Sequence, residues 1–384
     1  MKLRIYQETA VAFIAKSKRG LVEAPAGSGK TIIAAAGIAR VLEMRQRPEK
    51  AFIEIMVNTA EQVGQFEVAL NLFPVIARNS DTKVYCAAGA PPGTDPDLLV
   101  VDECHHAAAR TWRKKIESAH KARWAFSATP FSNDETRNDI IRRLFGNRIH
   151  AVERDALVDA GHIAPAKVLW HAVHCERAAE AIKALSNELI ETRKAKKPYL
   201  FRTAEGADKQ NRQCVWQAVR KIGIAGNEAI DALIIAEATS RIKAGGSIII
   251  LIGEIEHGRR LLDMIPGAEL CFSNMGRRKR AETIAGFKSG QIPCVIGTKL
   301  LDEGFDAPIA DCLIVARGGK STRESVQATG RVLRKFDGKA HGTIIDFEDT
   351  THGILKCQAR KRREIYAELS YKQTTATPTP FPRN

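Results

Sequence analysis

The sequence predicts an α/β chain with two tandem parallel sheets, each covered by helices on both faces. Three observations carry this. The 384 residues exceed what one hydrophobic core usually holds. Both halves alternate short, almost continuously apolar runs with stretches of helical pattern. Near the N-terminus an apolar run, a Gly-rich turn and a helix-like run follow one another directly. With 44% hydrophobic and 27% charged residues, the composition supplies apolar surface for two cores and excludes wholesale disorder.

The first half opens on Leu3 to Ala15, whose apolar Ile5, Val11, Phe13 and Ile14 suit a short helix interrupted by Gln7-Glu8. Leu21 to Glu23 is a strand feeding Ala24-Pro-Ala26-Gly27-Ser28-Gly29-Lys30-Thr31, and Thr31 to Arg45 reads as a helix stopped at Pro48. In that context backbone N–H groups and the helix dipole converge on one anion. Gly27 and Gly29 let the backbone close around phosphates, Lys30 reaches the β/γ-phosphates and the Thr31 hydroxyl ligates Mg²⁺. Ala24 replaces the usual first glycine, but the Gly-Lys-Thr end carries the contacts.

Ala51 to Val57 is a second strand, and Asn58-Thr59-Ala-Glu-Gln62 caps the helix after it. Lys83 to Cys86 is a third strand, and Leu98 to Val101 a fourth that delivers Asp102-Glu103-Cys-His-His106. Two carboxylates at the C-terminal tip of a buried strand, downstream of a phosphate loop, suit metal binding by Asp102 and orientation of a water by Glu103. Trp124 to Pro130 is a strand ending in the hydroxyls of Ser127 and Thr129. Residues 1–150 form the first domain, 151–165 a linker, 166–350 the second domain, and 351–384 a basic helix with a flexible tail.

In the second half Ala166 to Val173 starts the sheet, 176–243 is helical, and strands follow at Ser247 to Gly253, Glu269 to Phe272, Cys294 to Gly297, Cys312 to Ala316 and Thr343 to Phe347. This half has no phosphate loop of its own. The run Arg193-Lys-Ala-Lys-Lys197 reads as a solvated helix end, and Arg277-Arg-Lys-Arg280 either as an exposed first turn or as a phosphate contact. The basic helix from Leu355 to Leu369 leaves the same two readings open.

The net charge of +15 favours a polyanionic partner, and no amphipathic basic anchor or apolar run of membrane-spanning length points to a bilayer. Eight cysteines without a C-x-x-C pair suit reduced thiols in a cytoplasmic setting. His171-Ala-Val-His-Cys175 is a poor metal site, because 171 and 174 face opposite sides of a strand.

Taken in order, these stretches resemble the superfamily 2 helicases. Leu3-Arg-Ile-Tyr-Gln7 resembles the Q motif, Ala24 to Thr31 motif I, Val57 to Gln62 motif Ia, Asp102 to His105 a DExH motif II and Ser127-Ala-Thr129 motif III. Ile248 to His257 resembles motif IV, Gly297-Thr-Lys-Leu-Leu-Asp-Glu-Gly-Phe-Asp-Ala-Pro308 motif V and Gln327-Ala-Thr-Gly-Arg-Val-Leu-Arg334 motif VI. The resemblance implies two RecA-like domains with ATP in the cleft between them, and ATP and Mg²⁺ as ligands. It implies that Gln7 reads adenine and that Ala26, Gly27, Ser28, Gly29, Lys30, Thr31, Gly304, Asp306 and Gln327 line the nucleotide. Arg331 and Arg334, three apart on one helix, serve as arginine fingers. Ser127 and Thr129 couple hydrolysis to the second domain, and Thr59, Thr298 and Lys299 contact nucleic-acid phosphates.

The Asp-Glu-Cys-His and Ser-Ala-Thr-Pro forms look closest to XPB-type, phage UvsW-like and type III restriction translocase proteins. This implies a monomeric DNA motor, typically 3′ to 5′, serving repair, recombination or replication in a bacterial or phage-infected cytoplasm. No nuclease acid cluster or zinc module follows motif VI, which suits a motor without a cleavage domain. An RNA helicase is the rival within the class, because phosphate tracking serves both polymers. The rival of another class is a clamp that binds ATP without hydrolysing it, which has no use for Glu103 or the arginines.

Overall fold

The computed structural model describes residues 2–45, 49–89, 94–272, 275–298, 307–319 and 321–376, and forms two compact units, one ending at Ile163 and one beginning at Ala164. The first unit runs α1 (Ile5–Ala15), β1 (Arg19–Glu23), α2 (Lys30–Met44), β2 (Ala51–Val57), α3 (Ala60–Asn71), α4 (Pro74–Asn79) and β3 (Ser80–Cys86). It continues with β4 (Leu98–Asp102), α5 (Arg110–Glu117), β5 (Arg123–Ser127), α6 (Glu135–Phe145), β6 (Ile149–Ala151) and α7 (Arg154–Asp159).

All pairings in its sheet are parallel, in the order β3-β2-β4-β5-β1-β6. Neighbouring strand residues serve opposite faces. Val22, Ile55, Val100 and Phe126 pack in one core with residues of α1 and α2, while Leu21, Met56, Val101 and Ala125 pack in a second with residues of α5 and α6. The consequence for function is that β4, β5 and β1 stand side by side, so whatever follows each of them emerges at one edge.

Three expectations are corrected here. The first helix is continuous through Gln7-Glu8, because the Gln7 side chain is turned inward, 7% exposed, and its Oε1 accepts the Arg4 backbone N–H at 3.0 Å. β3 begins at Ser80 rather than Lys83. The linker expected at 151–165 belongs largely to the first unit: β6 pairs with β1, and Val152, Leu157 and Ile163 enter its core. Those three apolar side chains, scattered among charges, are what tie the segment down.

One charge lies in the middle of the sheet. Glu54 on β2 is wholly buried and is paired with Lys115 of α5 at 2.9 Å, with Tyr85 and Thr94 hydroxyls also donating to its carboxylate at 3.1 and 2.9 Å. Breaking such a pair from one side strands a buried charge. Lys115→Met is therefore expected to cost about 3 to 5 kcal/mol of unfolding free energy. Equilibrium urea denaturation measures this; a loss within about 1 kcal/mol, the size of an exposed pair, is the contrary outcome.

The second unit runs β7 (Ala166–Val173), α8 (Glu176–Lys196), α9 (Ala204–Ala218), α10 (Glu228–Lys243), β8 (Ile248–Ile252), α11 (Ile255–Met264) and β9 (Ala268–Cys271). Then come α12 (Arg277–Lys288), β10 (Cys294–Gly297), β11 (Cys312–Ala316), α13 (Thr322–Val332), β12 (Gly342–Asp349), α14 (Gly353–Glu368) and β13 (Lys372–Thr375). Its sheet is also wholly parallel, ordered β13-β7-β12-β11-β8-β10-β9. Every residue of β8 is buried, as its unbroken Ile-Ile-Ile-Leu-Ile sequence requires of a strand covered on both faces.

The expected C-terminal helix is present as α14, while the start of the stretch expected to be a flexible tail forms β13. α14 lies against this unit with Leu355, Ala359, Ile365 and Tyr366 buried, and β13 adds a strand beside β7. Of the basic run, Arg362 points inward and forms a bidentate pair with Asp346 at 2.8 and 2.9 Å, while Arg363 pairs with Glu348 at 2.6 Å. Residues 377–384 lie outside the described residues. In the run Arg193 to Lys197, Arg193 ties α8 to α9 through Gln210 and Gln213 at 3.2 and 3.1 Å. In α12, Arg278 and Lys279 lie 3.4 and 3.6 Å from Glu282 and Glu269. His171 is 3.0 Å from Glu237, and His174 is 3.1 Å from Thr350. Among the described residues no helix is long and apolar enough to cross a membrane.

Candidate nucleotide site

The phosphate loop leaves the C-terminal end of β1 and enters α2 at Lys30. Gly27 and Gly29 take φ values of 83° and 81°, which side-chain-bearing residues rarely adopt. A Cβ at Gly29 would also stand 2.8 Å from the Gln7 amide nitrogen. The loop is held from three sides. Ala24 N donates to Ser127 O at 3.0 Å, Ser28 Oγ donates to Pro25 O at 2.7 Å, and Lys30 Nζ donates to Ala24 O at 3.3 Å.

The Ser28 carbonyl accepts from the Tyr6 hydroxyl at 2.7 Å and from Gln7 Nε2 at 3.2 Å. The Q-motif glutamine is thus brought to the loop, with its amide clamping both α1 and the Ser28 backbone. Tyr6 was not singled out by sequence; an aromatic beside Gln7 gives no periodic signal of its own.

The two strands beside β1 supply the rest. Asp102 is the last residue of β4 and 5% exposed; Glu103 follows it with φ 49° and ψ 50°, a left-handed conformation. Ser127 ends β5 and is wholly buried. Its Oγ donates to Glu103 Oε2 at 3.4 Å and accepts the Thr129 backbone N–H at 3.1 Å, while buried His105 Nδ1 lies 3.2 Å from Ser127 Oγ and 3.3 Å from Glu103 Oε2. Motifs II and III are joined in one hydrogen-bonded cluster. His105 was quoted in the sequence motif without a role, which only the strand order reveals.

The two carboxylates are driven apart in acidity. Burial pushes Asp102 up, the adjacent Glu103 charge adds to this, and the Lys30 ammonium offsets only part. Burial also acts on Glu103, but the hydrogen bond from His105 and the positive charge of Lys30 outweigh it and hold that carboxyl well below its usual range. Glu103 is therefore anionic at neutral pH.

The Asp102 carboxyl is left short of hydrogen-bond donors. Its Oδ1 is buried without a hydrogen-bond partner, while Oδ2 accepts a long 3.5 Å bond from Gln62 Nε2 and the Glu103 backbone N–H also bonds to the carboxyl. An orphaned acidic oxygen beside a phosphate loop fits a hard divalent cation with oxygen ligands. The Thr129 hydroxyl is likewise buried without a partner.

The strand-contact candidates fall at strand ends. Thr59 is the N-cap of α3, two residues past β2, and Thr298 directly follows β10; both are half-buried. Gln327 is half-buried on α13. Lys299, Gly304 and Asp306 lie outside the described residues, as does the Arg331 side chain. The pairing of Arg331 and Arg334 on one helix is corrected: α13 ends at Val332, Leu333 is its C-cap, and Arg334 lies beyond it. The chain is drawn out of the helix there because Leu333 O accepts the Ala164 N–H at 2.7 Å, while Gly342 packs against the Val332 carbonyl so closely that a Cβ would clash.

Two family descriptions match the chain. "Type III restriction enzyme, res subunit" covers residues 1–85 and 90–132, and "Helicase conserved C-terminal domain" covers 228–336. The "DNA 3'-5' translocase XPB2" of Sulfurisphaera tokodaii is 24% identical over 95% of this chain and 85% of its own length. The "DNA 3'-5' helicase XPB" of Mycobacterium tuberculosis is 22% identical over 96% of this chain and 64% of its own. The first relatives matched are spanned only over 64% and 52% of their length.

Among solved structures, the Pyrococcus furiosus Hef helicase domain superposes with a TM-score of 0.53 at 15% identity, over 95% of this chain and 98% of that one. The type ISP restriction-modification enzyme LlaBIII gives 0.63 at 15% identity, over 99% of this chain and 31% of that one. Two parallel-sheet units with this motif order are the tandem RecA-like architecture of the superfamily 2 helicases. Within them the chain is similar to XPB-type and restriction-translocase proteins.

Proposed function

We propose that the chain is an ATP-dependent DNA helicase or translocase that moves 3′ to 5′ and remodels DNA during repair, recombination or replication. The carrying observation is the anionic Glu103 beside the unpartnered Asp102 oxygen, at the edge where the phosphate loop also emerges. A clamp that only binds ATP needs the loop and the metal carboxylate; it does not need an ionised glutamate held by His105 and Ser127.

In this reading the backbone N–H groups at the start of α2 and the Lys30 ammonium bind the phosphates. Asp102 and the Thr31 hydroxyl would hold Mg²⁺, whose chemistry when bound is to neutralise charge on the β/γ-phosphate oxygens. Glu103 accepts a hydrogen bond from the attacking water and orients it. His105 and Ser127 fix that carboxylate. Arg331 and Arg334 are the proposed cations for the charge that develops on the γ-phosphate. Thr59, Thr298 and Lys299 are proposed to hold strand phosphates, Gln7 to read adenine, Gly304 and Asp306 to link strand and nucleotide, and Gln327 to line the nucleotide. None of the eight cysteines is joined in a disulfide, which supports the proposal of a reducing, cytoplasmic setting.

The test compares ATPase stimulation by DNA and RNA strands of equal length and concentration. Stimulation of at least tenfold by DNA over RNA is the expected result. Stimulation by RNA alone would withdraw the DNA assignment, and hydrolysis indifferent to both would withdraw the motor.

A further inference from the structure

The third residue of α3, Gln62, touches both the proposed strand contact and the carboxylate proposed to bind metal. Gln62 is 8% exposed. Its Oε1 accepts the backbone N–H of Asn58 at 3.0 Å and that of Thr59 at 2.9 Å, and the Thr59 hydroxyl lies 3.4 Å away. Gln62 N in turn donates to Thr59 Oγ1 at 3.3 Å, closing a reciprocal cap. Two N–H donors require the amide oxygen on their side, so the NH₂ group must face the other way. What it faces is Asp102 Oδ2, at 3.5 Å.

We propose that Gln62 is a positioning residue that couples strand contact at the start of α3 to the availability of the Asp102 carboxylate. The inference rests on the reading of Thr59 as a phosphate contact. A strand phosphate arriving there competes with Gln62 Oε1 for the N–H groups of Asn58 and Thr59, and an ionised acceptor forms the stronger bond. The released amide no longer has its orientation fixed, so Asp102 Oδ2 loses its side-chain amide donor. Linkage makes the effect reciprocal: a cation on Asp102 favours the arrangement in which the strand is held. One exchanged hydrogen bond corresponds to a coupling factor of about three to ten.

The experiment uses the full chain and binding alone. Mg²⁺ is titrated against a fluorescent, non-hydrolysable ATP analogue with and without an oligodeoxythymidylate, and the oligonucleotide affinity is measured by anisotropy. In the unaltered protein the strand is expected to raise apparent Mg²⁺ affinity about three- to tenfold. Gln62→Glu keeps an acceptor for both backbone N–H groups, and so keeps the cap, but has no amide N–H for Asp102. It is expected to reduce the factor to below about twofold, and, because it sets a second carboxylate beside the buried Asp102, to lower the thermal midpoint despite the kept cap. Gln62→Met removes acceptor and donor together, and is expected to lose the coupling and lower the midpoint as well.

A merely structural role predicts the opposite for Glu: restored cap, restored coupling. That result overturns the proposal while leaving the motor reading intact, as does a coupling factor of one in the unaltered protein that binds the strand. Failure of the unaltered protein to bind any strand overturns the motor reading, and the coupling falls with it.

Discussion

Glu103→Gln is expected to lower strand-stimulated ATP turnover by about 10² to 10⁴-fold while nucleotide affinity stays within a few fold. The substitution keeps the shape of the side chain and an oxygen for Ser127 and His105 to donate to. It removes the anion. In the native chain that anion survives burial because the His105 bond and the Lys30 charge outweigh desolvation. The backbone at this residue supports a functional reading as well: Glu103 and Ser370 alone, among the described non-glycine residues, have positive φ. Such a conformation costs about 1 to 3 kcal/mol and persists where surrounding structure over-determines it. Single-turnover phosphate release and titration with a fluorescent ATP analogue separate the two effects. Turnover within threefold of the unaltered protein would show that another group orients the water.

What the sequence reveals of this site is set by how local each feature is. The phosphate loop is legible because strand, turn and helix are contiguous from Leu21 to Ala36, and Asp102-Glu103 because they follow an apolar run directly. The clustering of Glu103, His105 and Ser127 depends on β4 and β5 being neighbours, which is a property of strand order and leaves no local trace. Gln62 was half legible: Thr-x-x-Gln is a capping signature, but its other partner is 40 residues away. The misread stretches fail for related reasons. Between 151 and 165 three apolar residues, separated by charges, are enough to join a core, and periodicity over so short a span is silent. In Arg360 to Arg363 the inward-facing guanidinium is indistinguishable from its solvated neighbours until Asp346 is found opposite it. Arg334 leaves the helix because of Ala164, far upstream in sequence.

That last point separates two arginines that spacing alone would treat as a pair, and it sharpens the second large expectation. Arg331→Ala is expected to reduce strand-stimulated turnover by about 10³ to 10⁵-fold with ATP affinity changed only a few fold. A cation that acts on charge present only in the transition state contributes to kcat and not to ground-state binding. The backbone that carries it is firmly held: Ser321 caps α13 by accepting the Glu324 N–H at 3.3 Å, Ala328 and Val332 are buried, and the Thr329 hydroxyl meets that of Tyr371 at 2.9 Å. Arg334, past the helix end and half-buried, is placed by a different set of contacts, so its alanine variant is not expected to reproduce the same kcat loss with the same KM. Arg331→Lys tests the geometry of the contribution, since an ammonium supplies a point charge without the planar fork. It should recover little of the lost rate. Loss confined to KM in the alanine variant would make Arg331 a binding residue, and unchanged turnover would remove it from the hydrolytic machinery.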